Sequence, residues 1–465
     1  MKKFPLRMRY GRDIAESGIV LILLSVTAFF YYRDIFDFWF VSDDAAAIVS
    51  STASLKEILL NRIYSNFFYT PLVALSFKPD VLLFGLNPLP YHIHNAVILV
   101  LTSFMVYRIL RLYTDRISSS LAAIIVLLAV PSLICLLWIT LRQYLYAMLF
   151  ALLSVYLFLK NKPNPKNNPF MVLIILVFSE LSFMGKEQYM TLPFVLFILA
   201  GGNFRQRFSM TYPYFLLLVG HFFLRLYVLE GIGGYPGFHY GPLIYAKAVY
   251  RSIFIESKVL FNYNWPVIPL AFPLLLRPKK LLLSVLLWFF ALSVSFVVMS
   301  DYPQLDTYRY WFIPTVLFAV MLGLNANSIR NRYMKIAGCA TVIAFFLIHS
   351  FSAGYSVIAF FEKECQLAES VTRAILDKKY KDSLILFPDS SWLPNSGFIG
   401  HMSEAYYRVD GIRSHFPFFP LELLSFYPEV SCDFTDIYEI KGDRIEKITG
   451  SIEDRINLFR RALSS

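Results

Sequence analysis

The sequence is short of charge. Asp, Glu, Lys and Arg make up only 16% of its 465 residues, against about 25% in an ordinary soluble domain. It has four cysteines, and none of them stands with histidines at metal-ligand spacing. The first apolar run is not followed by a small-residue cleavage site, because Phe29 to Tyr32 are bulky. No convincing internal repeat of the kind found in transporters is visible. These absences argue against a cleaved leader and a zinc module.

What is present is apolar. Hydrophobic residues account for 57% of the chain and aromatics for 17%, and the mean hydropathy is +0.55. That much apolar surface cannot be hidden in one water-soluble core. Several runs also reach about 18 residues, enough to cross about 30 Å of hydrocarbon. A soluble enzyme, a secreted disulfide scaffold and a disordered chain are thereby excluded. An α-helical polytopic membrane protein is expected, with about eleven spans: 17–32, 92–110, 118–138, 143–159, 169–185, 188–202, 211–229, 253–276, 281–299, 311–327 and 336–358.

Loop charge orients these spans. The net charge of +11 is concentrated in the apolar part, since residues 361–465 hold 13 basic and 17 acidic residues. Placing the N-terminus in the cytoplasm puts 19 Lys and Arg residues in short inner loops and nine in longer outer ones, which satisfies the positive-inside rule. Basic clusters between apolar runs are topology signals, and nucleic acid is not an expected partner. The odd span count leaves the C-terminal region outside.

Three outer segments are too long to be turns. In the first, residues 33–91, the patches Ala45–Leu60 and Pro71–Leu83 suit interfacial helices. The second, Glu230–Ser252, is rich in Gly and Tyr. The third follows residue 360, and it divides the chain into a transmembrane module (1–360) and a small extracytoplasmic α/β domain (361–465). In that domain Ser383–Phe387 and Asp436–Ile448 read as strands, the latter around a Gly-Asp turn, and Ile452–Leu463 as an amphipathic helix. Cys365 and Cys432 both fall there, so a disulfide between them stays open.

Candidate chemistry gathers at the outer edge. Asp43 and Asp44 are adjacent carboxylates just past the first span, costly to desolvate unless paired. The same Ser-Asp start would also cap an interfacial helix. Arg142, Lys186, Glu187 and Arg309 are delivered to the same side by successive returns of the chain. Cations suit a lipid phosphate, and a carboxylate suits base-assisted displacement. His92 and Asn95, at the start of a span, read as polar contacts between helices.

The stretches Pro71-Leu-Val-Ala-Leu-Ser-Phe, Asp80, Leu83-Phe-Gly-Leu-Asn-Pro88 and Tyr91-His92-Ile-His-Asn95 resemble the first-loop signature of GT-C membrane glycosyltransferases. The similarity is to the branch of protein O-mannosyltransferase-like, tetratricopeptide-bearing and aminoarabinose-transferase-like enzymes. Trp138–Leu159, Gly185-Lys-Glu-Gln with Thr191-Leu-Pro, and Tyr308-Arg-Tyr with Pro314 follow in the order of that branch. Thr70 and Tyr144 depart from it, standing where relatives often carry Arg and Asp, which bears on donor identity.

The resemblance implies inverting transfer of a sugar from a polyprenyl-phosphate donor to a glycan, lipid or protein acceptor at the outer face of a plasma membrane, a bacterial inner membrane by the short loops. It implies that Asp43 or Asp44, with Asp43 preferred, is the general base. Arg309, Arg142 and Lys186 would bind the donor phosphate, with Glu187 orienting Lys186. No cofactor is required on this reading, and a divalent cation at Asp43 and Asp44 stays open. The alternatives are a lipid or sugar transporter or flippase, and a non-catalytic export partner of the same fold.

Overall fold

The computed structural model describes residues 10–62, 68–163, 165, 167–231, 233, 309, 311–376, 383–387, 402, 405, 408–409, 418–420, 436–441 and 444–447. The chain is a helical polytopic membrane protein. Four described helical stretches are long and apolar enough to cross a membrane: Ala15–Ile35, Pro88–Leu110, Ile139–Asn161 and Phe204–Leu229. They belong to α1 (Tyr10–Tyr32), α5 (Pro88–Leu110), α8 (Arg142–Asn161) and α11 (Phe204–Leu229). Burial separates two kinds among them. In α5 and α8, 67% and 72% of the apolar window is covered by protein; in α1 and α11 only 17% and 28% is. The first pair forms the centre of the bundle, and the second presents its side chains to lipid.

The run expected as one span over 118–138 is broken. It forms α6 (Arg116–Leu128) and α7 (Val130–Leu137), which meet at a 46° bend. The cause is local. Pro131 lies in the first turn of α7 and cannot donate a helical hydrogen bond, and Ala129 between the two helices is extended. Three further apolar helices are short: α9 (Pro169–Gly185), α10 (Leu192–Leu199), preceded by a 3-10 turn over Glu187–Thr191, and α12 (Phe312–Ala326). Gly185 allows α9 to close on α8, because a Cβ there would lie 2.7 Å from the Ala147 Cβ. The expected spans 253–276 and 281–299 lie outside the described residues.

The last helix, α13 (Arg332–Leu376), has 45 residues and a length of about 68 Å at 1.5 Å per residue. It is far longer than the hydrocarbon is thick, and it carries the chain through residue 360 without a break. Beyond it four strands form a sheet of order β2-β1-β3-β4, with β1 (Ser383–Phe387) parallel to both β2 (Phe418–Pro420) and β3 (Asp436–Lys441). β4 (Arg444–Lys447) returns antiparallel to β3, with Ile440 opposite Ile445. Cys365 is a buried free thiol that donates to the Trp39 carbonyl at 3.4 Å. The Cys432 of the bridge left open above, and the helix expected over 452–463, lie outside the described residues.

The loop between α1 and α5, expected on the outer side, contains α2 (Asp44–Ser51), α3 (Leu55–Leu60) and α4 (Pro71–Phe84). α3 is held at its start by a capping box between Ser54 and Glu57. A second core lies here, formed by Phe40, Ile48, Val73, Phe77, Tyr91 and Ile139 together with Leu367 and Ala368 of α13 and Met402 and Ala405. The Trp39 indole donates to Thr372 of α13. The loop is therefore clamped between the bundle and the far end of α13. At the end of α4, Leu82 and Leu83 are 76% and 73% exposed, as befits an interfacial helix dipping into lipid.

Candidate active site

The turn between α4 and α5 explains the motif that joins them. Gly85 ends α4 at φ 58°, a left-handed conformation suited to glycine. Asn87 caps α5 by accepting from the Leu89 N–H, and Pro88 starts it. The Tyr91 hydroxyl then ties the helix back to the Gly85 carbonyl at 2.6 Å. The polar residues of the next turn reach back to other elements. The His92 ring nitrogens lie 2.8 Å and 3.1 Å from the carbonyl oxygens of Leu136 and Phe38. Asn95 donates to the Cys135 and Ile139 carbonyls and accepts from the Nε of Arg142.

Arg142 is enclosed. Besides Asn95, its guanidinium donates to Asp80 Oδ2 at 2.6 Å and to the Ser76 and Tyr91 carbonyls, and it lies 4.2 Å from the centre of the Phe77 ring. No part of its side chain is exposed. The expectation that Arg142 meets a donor phosphate is thus at odds with its place in the fold. Four of its five N–H donors are already committed, and releasing it would strand the Asp80 carboxylate inside the protein. Asp80 also contacts His94 at 2.8 Å, and the other His94 nitrogen lies 2.6 Å from the Tyr146 hydroxyl. Burial alone would raise the Asp80 carboxyl, but the His94 hydrogen bond and the Arg142 charge outweigh it and hold it below the usual range.

The two adjacent acids are in different environments. Ser42, at φ 50°, turns the chain in a left-handed conformation uncommon outside glycine. Asp43 follows at the cap position of α2, exposed and making no capping hydrogen bond. Asp44 is fully buried. Its carboxylate accepts from the Val41 N–H at 3.0 Å, from the Thr140 N–H at 2.7 Å and from the Thr140 hydroxyl. Burial pushes its pKa up to about 7 against these hydrogen bonds, and neighbouring Asp43 adds to the rise.

Lys186 lies between α9 and the 3-10 turn, 12% exposed, with its ammonium 4.7 Å from the centre of the Phe68 ring and 5.3 Å from that of Tyr144. Glu187 is 4.0 Å from Lys186, an ion pair beyond hydrogen-bond reach. It is shared with Arg225 of α11 at 3.7 Å. Glu187, expected to orient Lys186, thus forms a loose triad with Lys186 and Arg225. Glu187 Oε1, Arg225 Nε and the neighbouring Gln188 Oε1 are buried without a hydrogen-bond partner among the described residues. Half-buried Arg309 stacks over Trp138 at 4.6 Å.

These contacts converge on one strip of chain, Trp138 to Tyr144, where the 3-10 turn Ile139–Leu141 leads into α8. Trp138 carries Arg309, Thr140 holds Asp44, Arg142 holds Asp80 and Tyr144 underlies Lys186. Thr140 and Arg225 were not singled out from sequence, and Asp80 and His94 were quoted in the motif without a role in the site. A signal existed for Asp80 and His94, which lie inside the quoted motif. For Arg225 there was only the i, i+4 spacing from His221. Among the described residues no group of three or more His, Cys, Asp or Glu side chains is placed to hold a metal ion.

No protein-family model matches the chain. The Archaeoglobus fulgidus oligosaccharyltransferase in its apo form superposes on 84% of this chain and 64% of its own, with a TM-score of 0.53 at 11% identity. The oligosaccharyltransferase AglB from the same organism, in complex with an inhibitory peptide and a dolichol-phosphate, superposes on 87% of this chain and 64% of its own, with a TM-score of 0.51 at 11% identity. The chain has the GT-C fold. ArnT from Cupriavidus metallidurans, bound to undecaprenyl phosphate, aligns over 91% of this chain and 92% of its own with a TM-score of 0.49 and 11% identity. In sequence, the mouse Protein O-mannosyl-transferase TMTC3 is 30% identical over 119 residues, 23% of this chain and 13% of that protein. The Trp138–Tyr144 strip lies where the start of α8 meets the start of α5.

Proposed function

We propose that the protein is an inverting glycosyltransferase that moves a sugar from a polyprenyl-phosphate donor to a hydroxyl acceptor at the outer face of a plasma membrane. AglB, the fold neighbour, binds a dolichol-phosphate, and the partial relative TMTC3 is named an O-mannosyl-transferase; both support this reading. The observation that carries it is the pairing of an exposed Asp43 with a buried Asp44 anchored on the strip that also carries Arg309. In this reading Asp43 removes the acceptor proton and the acceptor oxygen attacks the anomeric carbon. The bond to the phosphate breaks on the opposite face, and the departing phosphate meets Arg309 and Lys186. Asp44 positions its neighbour through Thr140. Arg142 keeps the strip in place from inside. The segment 361–465 forms an outer unit hung on α13, and the topology has its N-terminus in the cytoplasm and eleven spans.

The test uses purified protein in membrane lipid with a radiolabelled polyprenyl-phosphate sugar, followed by release of the carrier phosphate. Asp43→Asn lowers turnover by about 10²–10⁴-fold with an unchanged melting temperature, and Asp44→Asn lowers it less. Full turnover in the Asp43 variant rejects the base. Movement of the lipid-linked sugar across the bilayer without transfer favours the transporter.

A further inference from the structure

The opposite end of the bundle has a charge pattern of its own. α5 spans about 34 Å between the Tyr91 end, which faces Arg142, and Arg111 beyond its last turn. There the turn from α5 to α6 meets the turn from α12 to α13, joined by the Asp115 N–H donating to Asn327 Oδ1 at 3.1 Å and by an ion pair between Lys335 and Asp115. Between them is a cavity of about 470 Å³ lined by Arg111, Asp115, Arg116, Ile117, Arg330, Arg332 and Lys335. Its size lies within the range of about 300–1,000 Å³ usual for small-ligand sites.

The acids nearby do not balance these cations. Glu16 is shared by Arg111 and Arg116, and Asp115 is taken by Lys335. Among the described residues, five cations thus meet two carboxylates. Arg330 and Arg332 are exposed and have no acidic partner among the described residues. An independent feature adjoins them. Tyr333, Met334 and Ile336, in the first turns of α13, are 82%, 65% and 43% exposed. Charged rim and apolar skirt together match a headgroup above its own acyl chains.

We propose that this cavity binds a phosphate-bearing anion, supplied by an anionic lipid headgroup of the leaflet opposite the Trp138–Tyr144 strip. Arg330 and Arg332 contact the phosphate oxygens as charge-assisted donors, Lys335 supplies the floor, and the apolar start of α13 lies along the chains. The site is separate from the glycosyl-transfer reading and stands or falls without it.

The experiment is native mass spectrometry of the full chain released from nanodiscs of phosphatidylcholine mixed with phosphatidylglycerol, repeated with inorganic phosphate as competitor. The wild-type protein retains phosphatidylglycerol over phosphatidylcholine. The double variant Arg330→Gln/Arg332→Gln retains it about tenfold less, each lost charge costing a few-fold, whereas Lys56→Gln in exposed α3 leaves retention unchanged. Displacement by millimolar inorganic phosphate with no preference between the two lipids assigns the site to free phosphate instead of a headgroup. Equal retention of both lipids by the wild type with no effect of phosphate, or undiminished phosphatidylglycerol in a double variant that melts normally, overturns the proposal.

Discussion

Two charged clusters flank the same turn of α8, and they are built differently. Around Arg142 every partner lies at hydrogen-bond distance: Asp80, Asn95 and two backbone carbonyls fill the guanidinium, and the Phe77 ring covers its face. Around Lys186 the charges are 3.7–4.0 Å apart, aromatic faces replace carboxylates, and Glu187 Oε1 and Arg225 Nε lack hydrogen-bond partners among the described residues. A closed network of this kind is a brace, because breaking it leaves a charge buried alone. A loose one has capacity to spare for an incoming anion. Two cations that look alike in sequence therefore sit in opposite surroundings, and in the proposed function only Lys186 meets a ligand.

The largest effect expected from this contrast is on stability. Arg142→Met leaves Asp80 uncompensated and destabilises the protein by about 3–5 kcal/mol, read as a fall in melting temperature in detergent, and a second change, Asp80→Leu, restores much of it. A single variant that melts like the wild type would show that the network is not a brace. Next comes Asp44, tied to the same strip. Its folded pKa of about 7 lies above its ordinary 3.8, so the folded state binds the proton more tightly. That contribution is complete below about pH 4 and is lost as pH rises through about 7, by roughly 4 kcal/mol at most. Melting curves from pH 5 to 8 should fall for the wild type and flatten in Asp44→Asn; parallel slopes would place the titration elsewhere. The smallest effect sharpens the comparison from the other side. Lys186→Met changes melting little but raises the donor KM about tenfold, the loss of one charge-assisted contact. An unchanged KM would remove Lys186 from the donor site.

Legibility differed among these elements for physical reasons. Gly85, Asn87 and Pro88 act through their own backbone, so the break between α4 and α5 could be read locally. β1, β3 and β4 fall in segments whose alternation and Gly-Asp turn already read as strands. The bend at Ala129 was missed because hydropathy runs smoothly across it, while Pro131 acts only on hydrogen bonding. The enclosure of Arg142 was hidden for a different reason. A sequence shows that a cation comes to the membrane edge, but only side-chain packing shows whether a carboxylate already holds it.

The sequence by itself determined that this protein lives in a bilayer, that the loop after its first span carries patches suited to interfacial helices and that acids and bases collect near one edge. Those properties are sums over local composition and period, and the bilayer acts on them directly. The tertiary structure alone decided which of two neighbouring aspartates is buried, which arginine is enclosed, and that Trp138, Thr140, Arg142 and Tyr144 hold four groups from distant parts of the chain. Burial and pairing depend on contacts 96 residues apart between Asp44 and Thr140 and 333 apart between Trp39 and Thr372, and no local window of sequence contains them.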